Sequence, residues 1–156
     1  SLEIRGGTDV KWSPSFDYFY NIPMRFLEML GVDAKLELIR RGFYPKGNGL
    51  VKFEIYPNKN LKKLELTKRG NLNRIDLFNY ATKDMEKADV IERGKNAFEK
   101  EFGKKVSYHM NGYVDSLSSG MVMHAHAHYS NTILGSDMLG ERGKKAEDVG
   151  KNWLKN

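Results

Sequence analysis

Short runs of this chain alternate hydrophobic and polar residues, and that two-residue period predicts β-strands. The runs cover residues 2–5, 35–39, 50–56, 75–80, 106–110, 121–129 and 132–134. Two longer stretches space their apolar residues as one face of a helix does, which predicts helices over 14–30 and 83–102. A last helix is predicted to begin near Lys144 or Lys145. Helices and strands in this order predict an α+β fold.

Local signals mark the ends of the two longer helices. Ser13 is predicted to cap the first helix, with Pro14 at its first position, and Gly31 to end it. Pro23 lies inside this helix, where its ring should kink the backbone. Thr82 is predicted to cap the second helix.

A polar segment at residues 67–71 divides the chain into two predicted domains. Residues 1–66 are predicted to form one unit, which contains the first helix and the first three strands. Residues 67–156 follow the order β-α-β-β-α, which predicts a smaller domain with helices on an open sheet. Because the chain starts inside a predicted strand without a methionine and stops in a helix-like run, we expect it to be a piece of a longer protein.

Composition narrows the class of protein. Hydrophobic residues make up 40% of the 156 residues and aromatic residues 12%, which favours a packed core over disorder. No apolar run approaches the ~20 residues that a membrane span needs. There is no cysteine, so disulfides and thiolate zinc sites are excluded, and we expect a soluble, cytoplasmic protein. A net charge of +6 favours an anionic partner.

The segment that joins the second and third predicted strands is the first candidate for chemistry. It reads Arg40-Arg41-Gly42-Phe43-Tyr44-Pro45-Lys46-Gly47-Asn48-Gly49. Its three glycines allow a close backbone approach to a ligand, its proline restricts the loop, and its three cations concentrate positive charge. This combination suits phosphate. The alternative is an ordinary hairpin with solvated charges.

A second candidate is the segment 9–18, where aromatic residues surround a predicted helix start. A helix N-terminus has free N–H groups and a partial positive charge, which favour phosphate. A neighbouring aromatic or proline ring would suit a nucleobase. The alternative is that these rings belong to the hydrophobic core.

Three histidines, His124, His126 and His128, alternate along one predicted strand and therefore share one face. Two such imidazoles can reach one Zn²⁺ or Ni²⁺ ion. No carboxylate or cysteine is near in sequence to complete a site, so we favour the alternative of a polar face on a solvated sheet. No catalytic metal is indicated, and adventitious metal binding by these histidines stays open.

Other catalytic signatures have little support. No serine lies in a Gly-x-Ser-x-Gly turn, and Gly6-Gly7-Thr8 is not followed by the Gly-Lys-Ser/Thr of a phosphate-binding P-loop. The 20 Asp and Glu residues are scattered, so the sequence does not single out an acid–base pair.

Four sequence motifs, taken together, resemble the RNA 3'-terminal-phosphate cyclase family, and its archaeal members most. They are Arg5-Gly6-Gly7-Thr8-Asp9-Val10-Lys11-Trp12-Ser13-Pro14-Ser15-Phe16-Asp17-Tyr18, then 41–49, Arg69-Gly70-Asn71, and 139–150. They follow the family order over nearly the whole chain. Two positions depart from the pattern: many members have a second proline in place of Ser15, and a glycine in place of Asn48.

The resemblance implies a fold and an activity. It implies that residues 1–66 are the later part of a core unit and that 67–156 are the family's insert domain, with a thioredoxin-like sheet. Family members use ATP and a divalent metal, Mg²⁺, to convert an RNA 3'-phosphate into a 2',3'-cyclic phosphate through a histidine–AMP intermediate. The nucleophilic histidine of the family lies in a motif downstream of the insert. None of His109, His124, His126 or His128 matches that motif, so we expect no catalytic residue, no bound cofactor and no activity in this chain.

The resemblance also implies candidate binding residues and partners. Pro14, Asp17 and Tyr18 match the segment beside the nucleotide. Candidates for the RNA-phosphate side are Arg40, Arg41, Tyr44 and Lys46. The implied partners are ATP and RNA 3' ends, with no membrane; a homodimer is left open.

Two other functions remain open at this point. One is a non-catalytic, cyclase-like scaffold that binds RNA in ribosome assembly, although the loop 42–47 favours the enzyme branch. The other is a stand-alone basic RNA-binding module, whose affinity would fall steeply with salt.

Overall fold

A computed structural model describes residues 1–58, 60–103, 106–141 and 143–152, and it confirms an α+β fold. The elements are β1 (Leu2–Gly6), α1 (Phe16–Asn21), α2 (Pro23–Met29), β2 (Asp33–Arg40), β3 (Gly49–Tyr56), β4 (Leu72–Thr82), a 3₁₀ segment (Lys83–Ala88), α3 (Val90–Phe102), β5 (Tyr108–Val114), β6 (Met121–Tyr129), β7 (Ile133–Leu139) and α4 (Ala146–Asn152). No helix in these ranges is long and apolar enough to cross a membrane.

The strands form two separate sheets. The first has the order β1-β3-β2 and is antiparallel throughout. The second has the order β5-β4-β6-β7, in which only the β4–β5 pair is parallel. The division into domains at residues 66 and 67, and the thioredoxin-like nature of the second sheet, stay predictions.

The helix predicted over 14–30 is two short helices, and its predicted cap is wrong. Ser15, not Ser13, is the N-cap, because its side chain accepts a hydrogen bond from the Tyr18 N–H. The first helix ends at Asn21, and Pro23 opens the second helix instead of kinking a continuous one. A proline lacks the N–H that the first helical position leaves unused, so this is where it is tolerated.

The second predicted helix is also divided. Thr82 precedes the 3₁₀ segment instead of capping an α-helix, and α3 begins only after Asp89, whose φ of 49° interrupts the helical backbone. Gly103 ends α3 with a φ of 68°. The left-handed backbone at Asp89 breaks the regular helical hydrogen bonding, so the apolar spacing does not produce one continuous helix. The left-handed backbone at Gly103 ends α3.

Strand β6 is buried on both faces and organises the second sheet. Its odd-numbered residues, among them Met123 and Ala125, join the hydrophobic core beneath α3 and α4, together with Leu77, Phe98 and Val149. Its even-numbered residues face the opposite way, toward α1. There the ring of Tyr18 meets that of His124 edge to face. Helix α1 therefore connects the first part of the chain to the second sheet.

Helices α3 and α4 approach each other through Gly94 and Gly150. A Cβ added to Gly150 would clash with the backbone carbonyl oxygen of Gly94. Replacing glycine by alanine within a helix normally adds up to ~1 kcal/mol of stability. We expect the opposite for Gly150→Ala, a loss of about 1–3 kcal/mol, because the two backbones must separate.

Urea unfolding measures this difference in the free energy of unfolding. Lys151→Ala, an exposed change in the same helix, is the matched control and should have little effect. A Gly150→Ala variant as stable as the wild type would contradict the close packing of these helices.

Candidate functional site

The guanidinium of Arg41 is buried between two carboxylates. Its Nη1 donates to both oxygens of Asp9 at 3.2 and 3.1 Å, and its Nη2 donates to both oxygens of Asp17 at 2.9 and 2.7 Å. The side chain of Tyr80, on β4, completes the enclosure, with its ring centre 3.9 Å from Arg41 Cζ. Arg41 is only 6% exposed. This residue therefore joins the loop after β2 to the start of α1 and to the second sheet.

Burial and neighbouring charges shift the pKa values of Asp17 and Arg41 in opposite directions. Burial raises the pKa of Asp17, and the neighbouring Arg41 only partly offsets that effect. For Arg41, burial lowers the pKa, but the carboxylates of Asp9 and Asp17 outweigh it and hold the pKa above its usual value. Burial also raises the pKa of Tyr80. The guanidinium thus stays charged because two carboxylates surround it.

The start of α1 is closed by side chains. The Ser15 N–H donates to Asp137 Oδ2 at 2.6 Å, and the Phe16 N–H donates to Asp9 Oδ1 at 3.3 Å. The Tyr18 N–H donates to Ser15 Oγ at 3.4 Å. The helix end was expected to offer free N–H groups to a phosphate, but these three are occupied by side chains of the protein itself, two carboxylates and one hydroxyl.

The loop 40–49 is held at both of its sides. On one side, the N–H groups of Thr8 and Asp9 donate to the Gly42 carbonyl at 2.9 and 3.2 Å. On the other side, the Lys46 N–H donates to Ser118 Oγ at 3.0 Å, and the buried ring of Phe43 lies against Gly120. The loop is therefore anchored to the second sheet while its tip remains at the surface.

A group of exposed side chains lies on this loop and on the neighbouring strand β1. We call Arg5, Arg40, Tyr44 and Lys46 the loop patch. Strand register aligns Arg5 and Arg40 on either side of Leu50, so both project from one face of the first sheet. Arg40 donates to the carbonyl of Asn48 at 2.6 Å. In the part of the chain that the structure describes, the Lys46 ammonium forms no ion pair, and Tyr44 is 78% exposed.

Asn48 stabilises the conformation of this loop. Its φ is 61°, in the left-handed region that asparagine tolerates better than most residues. Its side-chain oxygen accepts from Arg40 Nη2 at 3.0 Å. The asparagine therefore keeps the backbone shape of the loop and also orients Arg40.

The predicted site residues divide into exposed and buried ones. Pro14 is exposed, whereas Asp17 is bound to Arg41 and Tyr18 packs on His124. Their role beside a nucleotide stays a prediction. Arg40, Tyr44 and Lys46 are exposed together. Arg41 is not, and a direct contact with phosphate would require it to leave both carboxylates.

Sequence reasoning missed several residues that build this region. The sequence could not place Arg5 or Asp137 in this region, because their neighbours Leu50 and Ser15 come close to them only on folding. Tyr80 was predicted to lie in a strand, but its contact with Arg41 was not predicted. The one available signal was that Asp9 and Asp17 lie on either side of a helix start, at a spacing that suits two carboxylates around one cation.

The histidine strand is not a solvated face, so that expectation is wrong. His124 is 0% exposed and His126 is 4% exposed. The rings of Tyr18 and Phe78 cover His124, and Phe78 also covers His126. Burial, with neighbouring His126 as a smaller cause, lowers the pKa of His124 to about 3. Burial, with His128 as a smaller cause, lowers the pKa of His126 to about 4.

A carboxylate does lie beside these histidines. Asp76 on β4 pairs with His126 across the sheet. Asp76 Oδ2 lies 3.3 Å from His126 Nε2 and 2.9 Å from His128 Nε2. The sequence could not reveal this neighbour, because 50 residues separate Asp76 from His126 and only the strand register joins them.

Comparison with known proteins identifies one family. A profile of RNA 3'-terminal phosphate cyclase matches residues 1–139. The RNA 3'-terminal phosphate cyclase of Methanopyrus kandleri is 38% identical over an alignment of 160 residues. That alignment covers 96% of this chain and 45% of that protein. The corresponding protein of Pyrococcus abyssi is 38% identical over 152 residues, with 96% and 44% covered. That of Halobacterium salinarum is 32% identical over 149 residues, with 96% and 42% covered. The chain therefore spans less than half the length of these relatives.

Two adjacent arginines allow a direct test of the buried network. Arg41→Met leaves Asp9 and Asp17 as two buried carboxylates without a cation, so we expect a loss of about 3–5 kcal/mol in the free energy of unfolding. Arg40→Met removes a neighbouring but exposed arginine and should change stability little. Urea unfolding of the two variants measures the difference, and equal losses would contradict a structural role for Arg41.

Proposed function

This chain belongs to the RNA 3'-terminal phosphate cyclase family, and from that membership we propose that it is part of an ATP-dependent RNA 3'-phosphate cyclase. The whole protein would convert an RNA 3'-phosphate into a 2',3'-cyclic phosphate, and we expect it to do so in the cytoplasm. A homodimer of the whole protein stays a prediction. The names of the relatives support the enzyme over the alternative of a non-catalytic scaffold in ribosome assembly.

The proposed reaction uses covalent catalysis to turn a poor leaving oxygen into a good one. A histidine attacks the α-phosphorus of ATP and releases diphosphate, which leaves AMP on the histidine. The RNA 3'-phosphate then takes the AMP from the histidine. The adjacent 2'-hydroxyl attacks the 3'-phosphorus, loses its proton and displaces AMP, so the cyclic ester forms. Only RNA offers that hydroxyl.

We place the nucleophilic histidine outside this chain. None of the four histidines lies in a motif of the family that carries this role. His124 and His126 are also buried, and each uses ring nitrogens in contacts within the sheet. A group in these positions could not reach the α-phosphorus of a bound nucleotide without the sheet opening.

The loop patch is the observation on which the proposed role of this chain rests. Arg40 and Lys46 are exposed cations on a loop whose backbone is fixed by Arg41, Thr8 and Ser118. Cations held in place can offset the charge on a terminal phosphate without first being ordered. We therefore propose that Arg40 and Lys46 contact the RNA 3'-phosphate, that Tyr44 lies beside the terminal nucleotide, and that Arg41 positions them.

The proposed nucleotide contact involves the segment that leads into α1. Pro14, at the exposed surface before α1, is the candidate to lie against adenine, with Asp17 and Tyr18 supporting that segment. ATP with Mg²⁺ is proposed for the whole protein. Asp9 and Asp17, the carboxylates nearest the loop, are bound to Arg41, so we do not assign either of them to Mg²⁺.

Removing the two exposed cations tests the RNA side. In the whole protein, we expect Arg40→Ala together with Lys46→Ala to raise the KM for a 3'-phosphorylated oligonucleotide about 10-fold or more, since a charge-assisted hydrogen bond contributes roughly 1.5–3 kcal/mol. Lys100→Ala, an exposed change on α3, is the control. Phosphatase resistance of the end-labelled RNA measures cyclisation. Equal KM values for both variants would contradict the assignment.

The chain alone provides a test of the missing histidine. Incubated with ATP labelled at the α-phosphate, residues 1–156 should acquire no label, whereas the whole protein should. Denaturing gel electrophoresis followed by autoradiography detects the adduct, and its acid lability identifies a phosphorus–nitrogen bond. Stable labelling of any histidine in this chain would overturn the proposal.

A further inference from the structure

A second group of side chains, outside the loop patch, has the composition of a metal site. Asp76 comes from β4, and His126 and His128 come from β6. One oxygen of Asp76 and one ring nitrogen of each histidine all lie within 4.8 Å of one another. Two ligand atoms bonded to one Zn²⁺ at about 2.0–2.1 Å in a tetrahedral arrangement lie roughly 3.3 Å apart. The observed distances of 3.3 and 2.9 Å from Asp76 Oδ2 to the two Nε2 atoms are close to that separation.

Hydrogen bonds determine which nitrogen of His126 carries a proton. The backbone carbonyl of Ser136 can only accept, so His124 Nδ1, 3.0 Å away, must donate to it. In a neutral ring the other nitrogen, His124 Nε2, is then an acceptor. His126 Nδ1, 3.1 Å away, must therefore be protonated and donate a hydrogen bond to it. A neutral His126 is left with a bare lone pair on Nε2. That lone pair lies 3.3 Å from Asp76 Oδ2, and a cation between the two atoms would relieve their repulsion.

His128 has a similar conflict. Its Nε2 lies 2.9 Å from Asp76 Oδ2 and 3.3 Å from Arg74 Nη2. One ring nitrogen cannot accept from Arg74 and donate to Asp76 at the same time. Arg74 also pairs with Asp76 Oδ2 at 3.2 Å, and its side chain is 57% exposed. Arg74 therefore supplies positive charge to this cluster from the surface.

Asp76 provides an independent indication of a ligand. Its second oxygen, Oδ1, is buried and has no hydrogen-bond partner among the described residues. A buried carboxylate oxygen without a partner is destabilising, and a bound ion is one way to satisfy it. A metal ion at the cluster could take Oδ1 as a further ligand.

We propose that Asp76, His126 and His128 bind a divalent transition-metal ion such as Zn²⁺. Two imidazoles and one carboxylate suit Zn²⁺, whereas Mg²⁺ prefers oxygen ligands and retains water. The His124 ring acts behind the site, because its hydrogen bond holds His126 in the tautomer that exposes Nε2. The ion would enter from the side of Arg74 and His128, where a fourth position is open to water or to an anionic group.

Titration calorimetry with Zn²⁺ tests the site in the 156-residue chain, prepared without a histidine tag. We expect one ion per chain, a higher unfolding temperature with Zn²⁺, and no displacement by millimolar Mg²⁺. Co²⁺ in place of Zn²⁺ should give the visible absorption bands of a tetrahedral complex. Binding that is absent, or that exceeds one ion per chain without these bands, would overturn the proposal.

Variants separate this site from chance binding by histidine. His128→Gln and Asp76→Asn should each weaken Zn²⁺ binding by about tenfold or more. Arg74→Gln should strengthen binding, since it removes the competing cation. His109→Gln is the matched control, because His109 pairs with Leu77 on the helix-covered face of the sheet.

Two results would contradict the site. One is equal Zn²⁺ affinity of the His109→Gln and His128→Gln variants, which would mean binding at scattered histidines. The other is a ¹⁵N spectrum of the metal-free chain that places the single ring proton of His126 on Nε2, which would mean that this nitrogen donates to Asp76 and has no lone pair for a metal. If Asp76→Asn does not fold, His128→Gln, at the edge of the cluster, still decides the question.

Discussion

The structure depends on one buried cation. Arg41 leaves β2, enters the interior and meets Asp9, Asp17 and the face of Tyr80. Taking these charges out of water is unfavourable, and their mutual attraction compensates only when the geometry is good. Here each Nη atom of Arg41 donates to both oxygens of one carboxylate, which provides charge-assisted hydrogen bonds to both acids. The interaction contributes less to total stability than its number of hydrogen bonds suggests, but it allows only one position of the loop relative to α1.

That restriction explains how the loop patch can be both exposed and ordered. Arg40 and Lys46 lie on either side of residues that cannot move: Arg41 and Phe43 are buried, and Gly42 is bound to Thr8. A phosphate that meets such a loop does not have to order it first. Arg41 therefore holds the backbone in place, whereas the adjacent Arg40 faces the solvent.

Much of the fold could be predicted from the sequence, because strands with a two-residue period are local features. The bounds of β6 were predicted correctly, and those of β3 within one residue. The cap of α1 was misplaced because serine is a good cap at either position 13 or 15, and the contact of the Ser15 N–H with Asp137, far along the chain, cannot be predicted from local sequence. The site was harder still. The partners of Arg41 lie 32 and 24 residues away, so its charge suggested phosphate when its surroundings are carboxylates.

The prediction for the histidine strand was wrong for the same physical reason. Helix α1, which covers this strand, also links the two parts of the molecule. A polar strand face becomes an interior only if another element packs on it, and here that element is α1, through Tyr18 against His124. His124 in turn orients His126 toward Asp76. A continuous set of contacts therefore runs from Arg41 through Asp17 and α1 to the histidine row. Because each contact fixes the next, the position of α1 that suits the loop is also the one that covers the histidines.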